Sequence, residues 1–148
     1  MSKDQYDILM IEDNPGDVTL LQEIFIETGI SCNFKHFAYG ENALTYLDNI
    51  SDANNLPDMI LMDINLPGDD GLAILKILKN NPRYYYIPTI IISTSLAKTD
   101  IQKSYQHYAN AYINKPLDLD VYIQRIRSLK EFWLTVANLP GEKQFIGK

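Results

Sequence analysis

Short apolar runs alternate with amphipathic stretches along this chain, and several of the runs end abruptly on a polar side chain. The runs fall at about Asp7 to Ile11, roughly Asn33 to Phe37, Met59 to Met62, Thr89 to Ser93 and Ala111 to Asn114. Met59-Ile60-Leu61-Met62 is apolar without a break, as expected of a strand covered on both faces. Between the runs, apolar residues recur at helical spacing. Leu20, Leu21, Ile24 and Phe25 follow Pro15, which suits a first helical position; Asp17 adds negative charge to that first turn, and Gly29 supplies the stop. Further helices are predicted from near Glu41 to Ile50, from Leu72 to Leu78, near Asp100 to Tyr108, and after Pro116-Leu117-Asp118 to about Val136. Strict alternation of five strands and five helices predicts an α/β fold with a doubly wound, five-stranded parallel sheet.

The polar positions that close the runs carry the chemistry. Glu12-Asp13 follow the first run, Asp63 the third, Ser93 ends the fourth and Lys115 follows the fifth. In an open parallel sheet the carboxyl ends of the strands face one crevice, where such folds bind ligands. Three carboxylates gathered there repel one another unless a divalent cation sits among them, and Mg²⁺ takes carboxylates, waters and phosphate oxygens. Glu12 and Asp13 read equally well as solvated or helix-capping acids. Asp63 is harder to explain that way, because it directly follows a buried strand and precedes a Pro- and Gly-shaped loop. A carboxylate there is a candidate nucleophile giving an acyl phosphate. Lys115 would neutralise charge in the phosphoryl transfer and Ser93 would donate a hydrogen bond to a phosphoryl oxygen.

Bulk properties narrow the partners. The 148 residues fit one domain, and a net charge of -6 gives no basic surface for nucleic acid or an anionic membrane. The single cysteine, Cys32, leaves no disulfide framework. With no apolar stretch long enough to span a bilayer and no secretory leader, a cytoplasmic location is expected. His36 and His107 lack the neighbours that a transition-metal site needs, and Tyr84-Tyr85-Tyr86 is expected to pack at a helix-to-strand loop.

The motifs Ile11-Glu12-Asp13, Leu61-Met62-Asp63-Ile64-Asn65-Leu66-Pro67 with Gly71, Ile92-Ser93-Thr94 and Asn114-Lys115-Pro116 resemble the receiver domain of two-component response regulators, a flavodoxin-like (βα)5 fold. Asp63 to Ser93 spans 30 positions and Ser93 to Lys115 spans 22, as in that family. The resemblance covers about residues 6–135, with 136–148 a tail and no output domain. It implies that Asp63 accepts a phosphoryl group from a sensor histidine kinase, with Mg²⁺ held by Asp13, Asp63 and the backbone carbonyl of Asn65 and by Glu12 through water. It also implies that Ser93 and Tyr112 act as a switch pair, with Tyr112 rotating inward on phosphorylation. Lys115-Pro116 is a candidate cis bond that would aim Lys115.

Thr94 departs from the small residue usual in receivers at that position, and its branched side chain is expected to gate access to Asp63. The C-terminal Ser128-Leu129-Lys130-Glu131-Phe132-Trp133-Leu134, with Leu139-Pro140, resembles stand-alone regulators of the cyanobacterial phytochrome-partner type. That suggests a phytochrome-like kinase as partner. An apolar stripe at Leu119, Tyr122, Ile123, Ile126, Leu129 and Trp133 is expected to pack the last helix on the sheet. Val121, Phe132, Leu134 and Val136 fall largely off it, to be covered by the tail or by a homodimer through the fourth helix, fifth strand and fifth helix. A phosphatase or hydrolase with an aspartyl nucleophile is the competing function. The aspartyl-phosphatase family carries a second Asp two positions after the nucleophile as general acid, and Asn65 stands there. A flavin-binding domain is disfavoured because the loop after the first strand is acidic rather than a neutral phosphate cradle.

Overall fold

The computed structural model describes residues 5–27 and 29–140. Five strands form one parallel sheet: β1 (Gln5–Ile11), β2 (Ser31–Phe37), β3 (Met59–Met62), β4 (Thr89–Ser93) and β5 (Ala111–Asn114), in the spatial order β2-β1-β3-β4-β5. Five α-helices connect or follow them: α1 (Pro15–Ile26), α2 (Gly40–Asp48), α3 (Gly71–Asn80), α4 (Lys98–Gln106) and α5 (Leu119–Glu131). This is the doubly wound arrangement that the alternating pattern predicts.

The two-residue period of the strands divides the core. Ile8 and Met10, Met59 and Leu61, and Ile90 and Ile92 face one side with Leu21, Phe25, Ile126 and Leu129 of α1 and α5. Leu9, Ile11, Ile60, Met62 and Ile91 face the other with Leu47, Leu75 and Tyr84 beneath α2 and α3. Because both faces are covered, β3 and β4 are buried at every residue. Tyr84 is buried and its hydroxyl donates to Asp48, whereas Tyr85 is half exposed. Cys32 is partly buried beside the first core, and burial pushes its thiol up to about 11, consistent with a filler.

Several boundaries differ from the sequence expectation. A small antiparallel hairpin, Asn65–Leu66 with Asp69–Asp70, interrupts the alternation before α3. Gly71 opens α3 under Asp70, whose carboxylate accepts from Leu72 N, and Gly71 N donates to the carbonyl of Ile64 at 2.9 Å. A Cβ on Gly71 would sit 2.3 Å from Ile64 Cα, so only glycine fits that approach. The fourth helix starts two residues before its expected Asp100 and stops at Gln106, because Tyr108 adopts φ 70° and reverses the chain.

The last helix does not stay α-helical to Val136. Phe132–Val136 winds as a π-turn, with Ala137 N donating to Phe132 O at 2.7 Å. The wider winding re-phases the side chains. Leu134, expected off the stripe, is buried, and its carbonyl accepts from the Tyr6 hydroxyl at 3.1 Å. Leu119, expected on the stripe, is exposed at the first turn, as are Val121, Phe132 and Val136. Leu139 is buried in the core shared with Tyr6 and Met10. Lys130 is also buried; its ammonium donates to the carbonyl of Ile24 in the last turn of α1, where a cation suits the helix dipole. Among the described residues no helix is long and apolar enough to cross a membrane.

Candidate functional site

The carboxyl ends of β1, β3, β4 and β5 bring the predicted residues to one place. Asp63 leaves β3 with its backbone N–H bonded to Ile11 O at 3.0 Å, which sets the two acidic strand ends side by side. Its side chain is mostly buried; Oδ1 accepts from the Asn65 backbone N–H at 3.0 Å, and Oδ2 lies 3.4 Å from Lys115 Nζ. Glu12 is buried, with Oε1 2.6 Å from Lys115 Nζ and Oε2 accepting from Asn14 N at 3.2 Å. Asp13 is exposed at the rim. One carboxylate oxygen each from Glu12, Asp13 and Asp63 lies within 4.8 Å of the others, a hard-oxygen donor set that fits a divalent cation. Among the described residues no cysteine or histidine joins this donor set, as a softer metal would need. The Asn65 side chain is exposed.

Among the described residues Lys115 is the only ammonium against these acids, and it has three carboxylate neighbours. Besides Glu12 and Asp63, Asp17 Oδ2 sits 2.9 Å from Nζ. Burial opposes its charge, but the hydrogen bonds and charges of Glu12, Asp17 and Asp63 outweigh burial and raise Lys115 above its usual range. Glu12 is raised as well, by burial first and by the Asp63 charge, against the pull of Lys115. The Lys115–Pro116 peptide is trans, against the cis expectation. The aim of Lys115 comes instead from its backbone N–H on Ser93 O at 2.7 Å and from the three carboxylates.

Ser93 is fully buried at the end of β4, its Oγ accepting from Ser95 N at 3.1 Å. Tyr112 is half buried on β5, and its hydroxyl donates to Ser95 O at 2.8 Å. Ser95 therefore links the two residues of the expected switch pair. The sequence reading missed it, although an Ser-x-Ser spacing with Asp100 five residues on, which accepts from the Ser95 hydroxyl at 2.6 Å, is the available signal. Thr94 is exposed beside Ser93. Asp17 was also missed: its place in the first turn of α1 is fully accounted for by the helix dipole. His36, read as structural, donates from Nε2 to the Glu12 carbonyl at 2.6 Å and braces the end of β1.

Residues 8–127 match the response regulator receiver domain family. The chain belongs to that family. Among curated relatives, this receiver is 30% identical over 141 residues to the probable methanogenesis regulatory protein FilR2 of Methanothrix harundinacea, covering 95% of this chain and 91% of the other. It is 31% identical over 136 residues to the response regulator Rcp1 of Synechocystis, covering 90% and 92%. Its fold superposes on the phosphorylated cyanobacterial phytochrome response regulator RcpA with a TM-score of 0.84 at 35% identity, covering 92% of this chain and 99% of that one. The Mn²⁺-bound form of Rcp1 gives the same TM-score at 31% identity, with 91% and 99% covered. Two-component signalling is thus the setting of this receiver.

Proposed function

We propose that the chain is a phosphorylation switch in which Asp63 accepts a phosphoryl group from a phosphohistidine of a sensor histidine kinase. A bond forms between an Asp63 carboxylate oxygen and phosphorus while the phosphorus–imidazole bond breaks, and the histidine leaves. The observation that carries this reading is the placement of Asp63 at once in the acidic cluster and within 3.4 Å of the Lys115 ammonium. Asp13, Asp63 and the Asn65 carbonyl would hold Mg²⁺, with Glu12 acting through water; the ion neutralises phosphoryl charge when bound. Lys115 supplies the second positive charge and the Ser93 hydroxyl a donor. The likeness to RcpA and Rcp1 supports a phytochrome-like kinase as the partner, and a cytoplasmic setting belongs to the same proposal.

Incubating the protein with Mg²⁺ and acetyl phosphate and measuring intact mass tests the reading. One phosphoryl group is expected on the wild type and none on Asp63→Asn or with the divalent cation chelated; uptake by Asp63→Asn overturns it. The hydrolase reading predicts rapid turnover with no lasting adduct, and Asn65 supplies no acid for it. Thr94, on the open side of Ser93, screens the acyl phosphate from water, so Thr94→Ala is expected to lose the group several-fold faster in the same assay.

The output surface proposed is the face of α4, β5 and α5. Edge strand β5 and α5 border a groove of about 790 Å³ walled by Ile113, Val121, Leu129, Phe132 and Trp133, and Phe132 and Val121 remain exposed there. A second copy of this chain is the proposed occupant. Light scattering is expected to give a dimer mass for the wild type and a monomer mass for Phe132→Asp; equal masses overturn the dimer.

A further inference from the structure

The contacts of Lys115 leave it no spare donor. An ammonium has three N–H groups, and Glu12, Asp17 and Asp63 face it at 2.6, 2.9 and 3.4 Å. A phosphoryl group on Asp63 adds oxygens that compete for the same cation, so one carboxylate must give way. Glu12 is buried and its second oxygen is already tied to Asn14, so releasing it strands a charge away from water. Asp17 has a third of its side chain exposed and is the partner that solvent can take over.

A second observation lies where α5 packs on α1. Tyr122 of α5 is buried, yet its hydroxyl has no hydrogen-bond partner, an arrangement that costs stability and calls for a reason. Burial pushes the phenol up, and the groups whose charges reach it are Lys115, Asp17, Glu12 and Asp63. Tyr122 shares its buried core with Val18, which directly follows Asp17 in α1, and α5 packs on α1, so the orphan donor lies on the Asp17 side of the sheet. Phenol is a donor that a carboxylate losing its ammonium accepts readily.

We propose that Asp17 and Tyr122 are positioning residues that hand Lys115 over: Asp17 holds the ammonium before phosphorylation, and the Tyr122 hydroxyl takes its place on Asp17 once a phosphoryl group on Asp63 draws Lys115 away. The inference rests on Asp63 being the phosphoryl acceptor. In the unmodified protein Tyr122 stands unsatisfied; in the modified one both Asp17 and Tyr122 are paired. The tyrosine thus favours the phosphorylated arrangement without touching the phosphoryl group.

The test is a double-mutant cycle on the full chain with Mg²⁺, using beryllofluoride as the phosphoryl mimic and ¹⁹F NMR to read its occupancy. Tyr122→Phe is expected to weaken beryllofluoride binding about tenfold, the value of one hydrogen bond to a charged group. Asp17→Ala is expected to bind it no more weakly than the wild type. In the Asp17→Ala background Tyr122→Phe is expected to change nothing further. Tyrosine labelled at Cζ adds a signature: the Tyr122 resonance shifts on binding in the wild type and stays put in Asp17→Ala. Because Tyr122→Phe deletes only an unpartnered hydroxyl, its metal-free melting temperature is expected to be unchanged or higher. Equal losses in both backgrounds, or no loss in either, overturn the handover while leaving Asp63 as acceptor. A wild type that binds no beryllofluoride and takes no phosphoryl group from acetyl phosphate overturns both.

Discussion

Lys115→Met is expected to destabilise the metal-free protein by about 3 kcal/mol, the cost of stripping the cation from a largely buried ion cluster. Among the described residues its ammonium is the single positive group facing Glu12, Asp17 and Asp63, and two of those acids are buried. The loss depends on pH with a definite sign. Glu12 is raised from its ordinary 4.5, so the folded protein holds that proton longer than the unfolded chain, and its ionisation lowers stability as pH climbs through the folded value. Lys115 is raised too; its contribution is complete below the ordinary 10.5 and is lost only as pH rises past the folded value. In the wild type Lys115 therefore offsets the acids across the whole neutral range. Without it, the deficit is expected to grow between about pH 4 and pH 7. Urea unfolding of both proteins across that range checks it. Added Mg²⁺ is expected to restore more stability to the variant than to the wild type, since the ion relieves the same repulsion. A variant as stable as the wild type at pH 7 without metal would sink the argument.

Gly71→Ala is expected to cost about 3 kcal/mol and to slow phosphoryl uptake together, although Gly71 has no side chain to offer a metal or a phosphoryl group. The added methyl would meet backbone, not a side chain that can swing away: Ile64 Cα, O and C lie 2.3, 2.4 and 2.6 Å from its position. Ile64 directly follows Asp63 and precedes Asn65, whose N–H holds Asp63 Oδ1. Relief of the clash must therefore displace the segment that aims the acceptor carboxylate. Thermal unfolding reads the first effect and acetyl phosphate labelling the second; full stability with normal labelling contradicts both.

Much of the fold was legible because its strands are covered on two faces. Continuous apolar runs of the Met59–Met62 kind leave few alternatives, and the first polar residue after each run marks a strand end facing the crevice. That is why Asp63 and the Lys115 ammonium meet at one crevice, with Ser93 closing the neighbouring strand. What stayed hidden has physical causes as well. Asp17 has an adequate local explanation in its helix turn, so nothing in the chain signals its contact with a lysine 98 positions away. Tyr122 fits the apolar stripe, and periodicity is blind to an unpartnered hydroxyl. Leu134 was misplaced because helical phase was extrapolated at 3.6 residues per turn through a segment that winds more widely. Ser95 gains its role only when Tyr112 arrives from the neighbouring strand.

The π-turn bears on where this unit ends. The match to the family model stops at residue 127, yet Leu129, Leu134 and Leu139 fill the same core as Met10, and Tyr6 at the head of the first strand is fastened to the Leu134 carbonyl. A fragment cut at residue 127 would keep every signature residue and still lack the plug that seals one side of its sheet, so the cooperative folding unit is longer than the motif that names it.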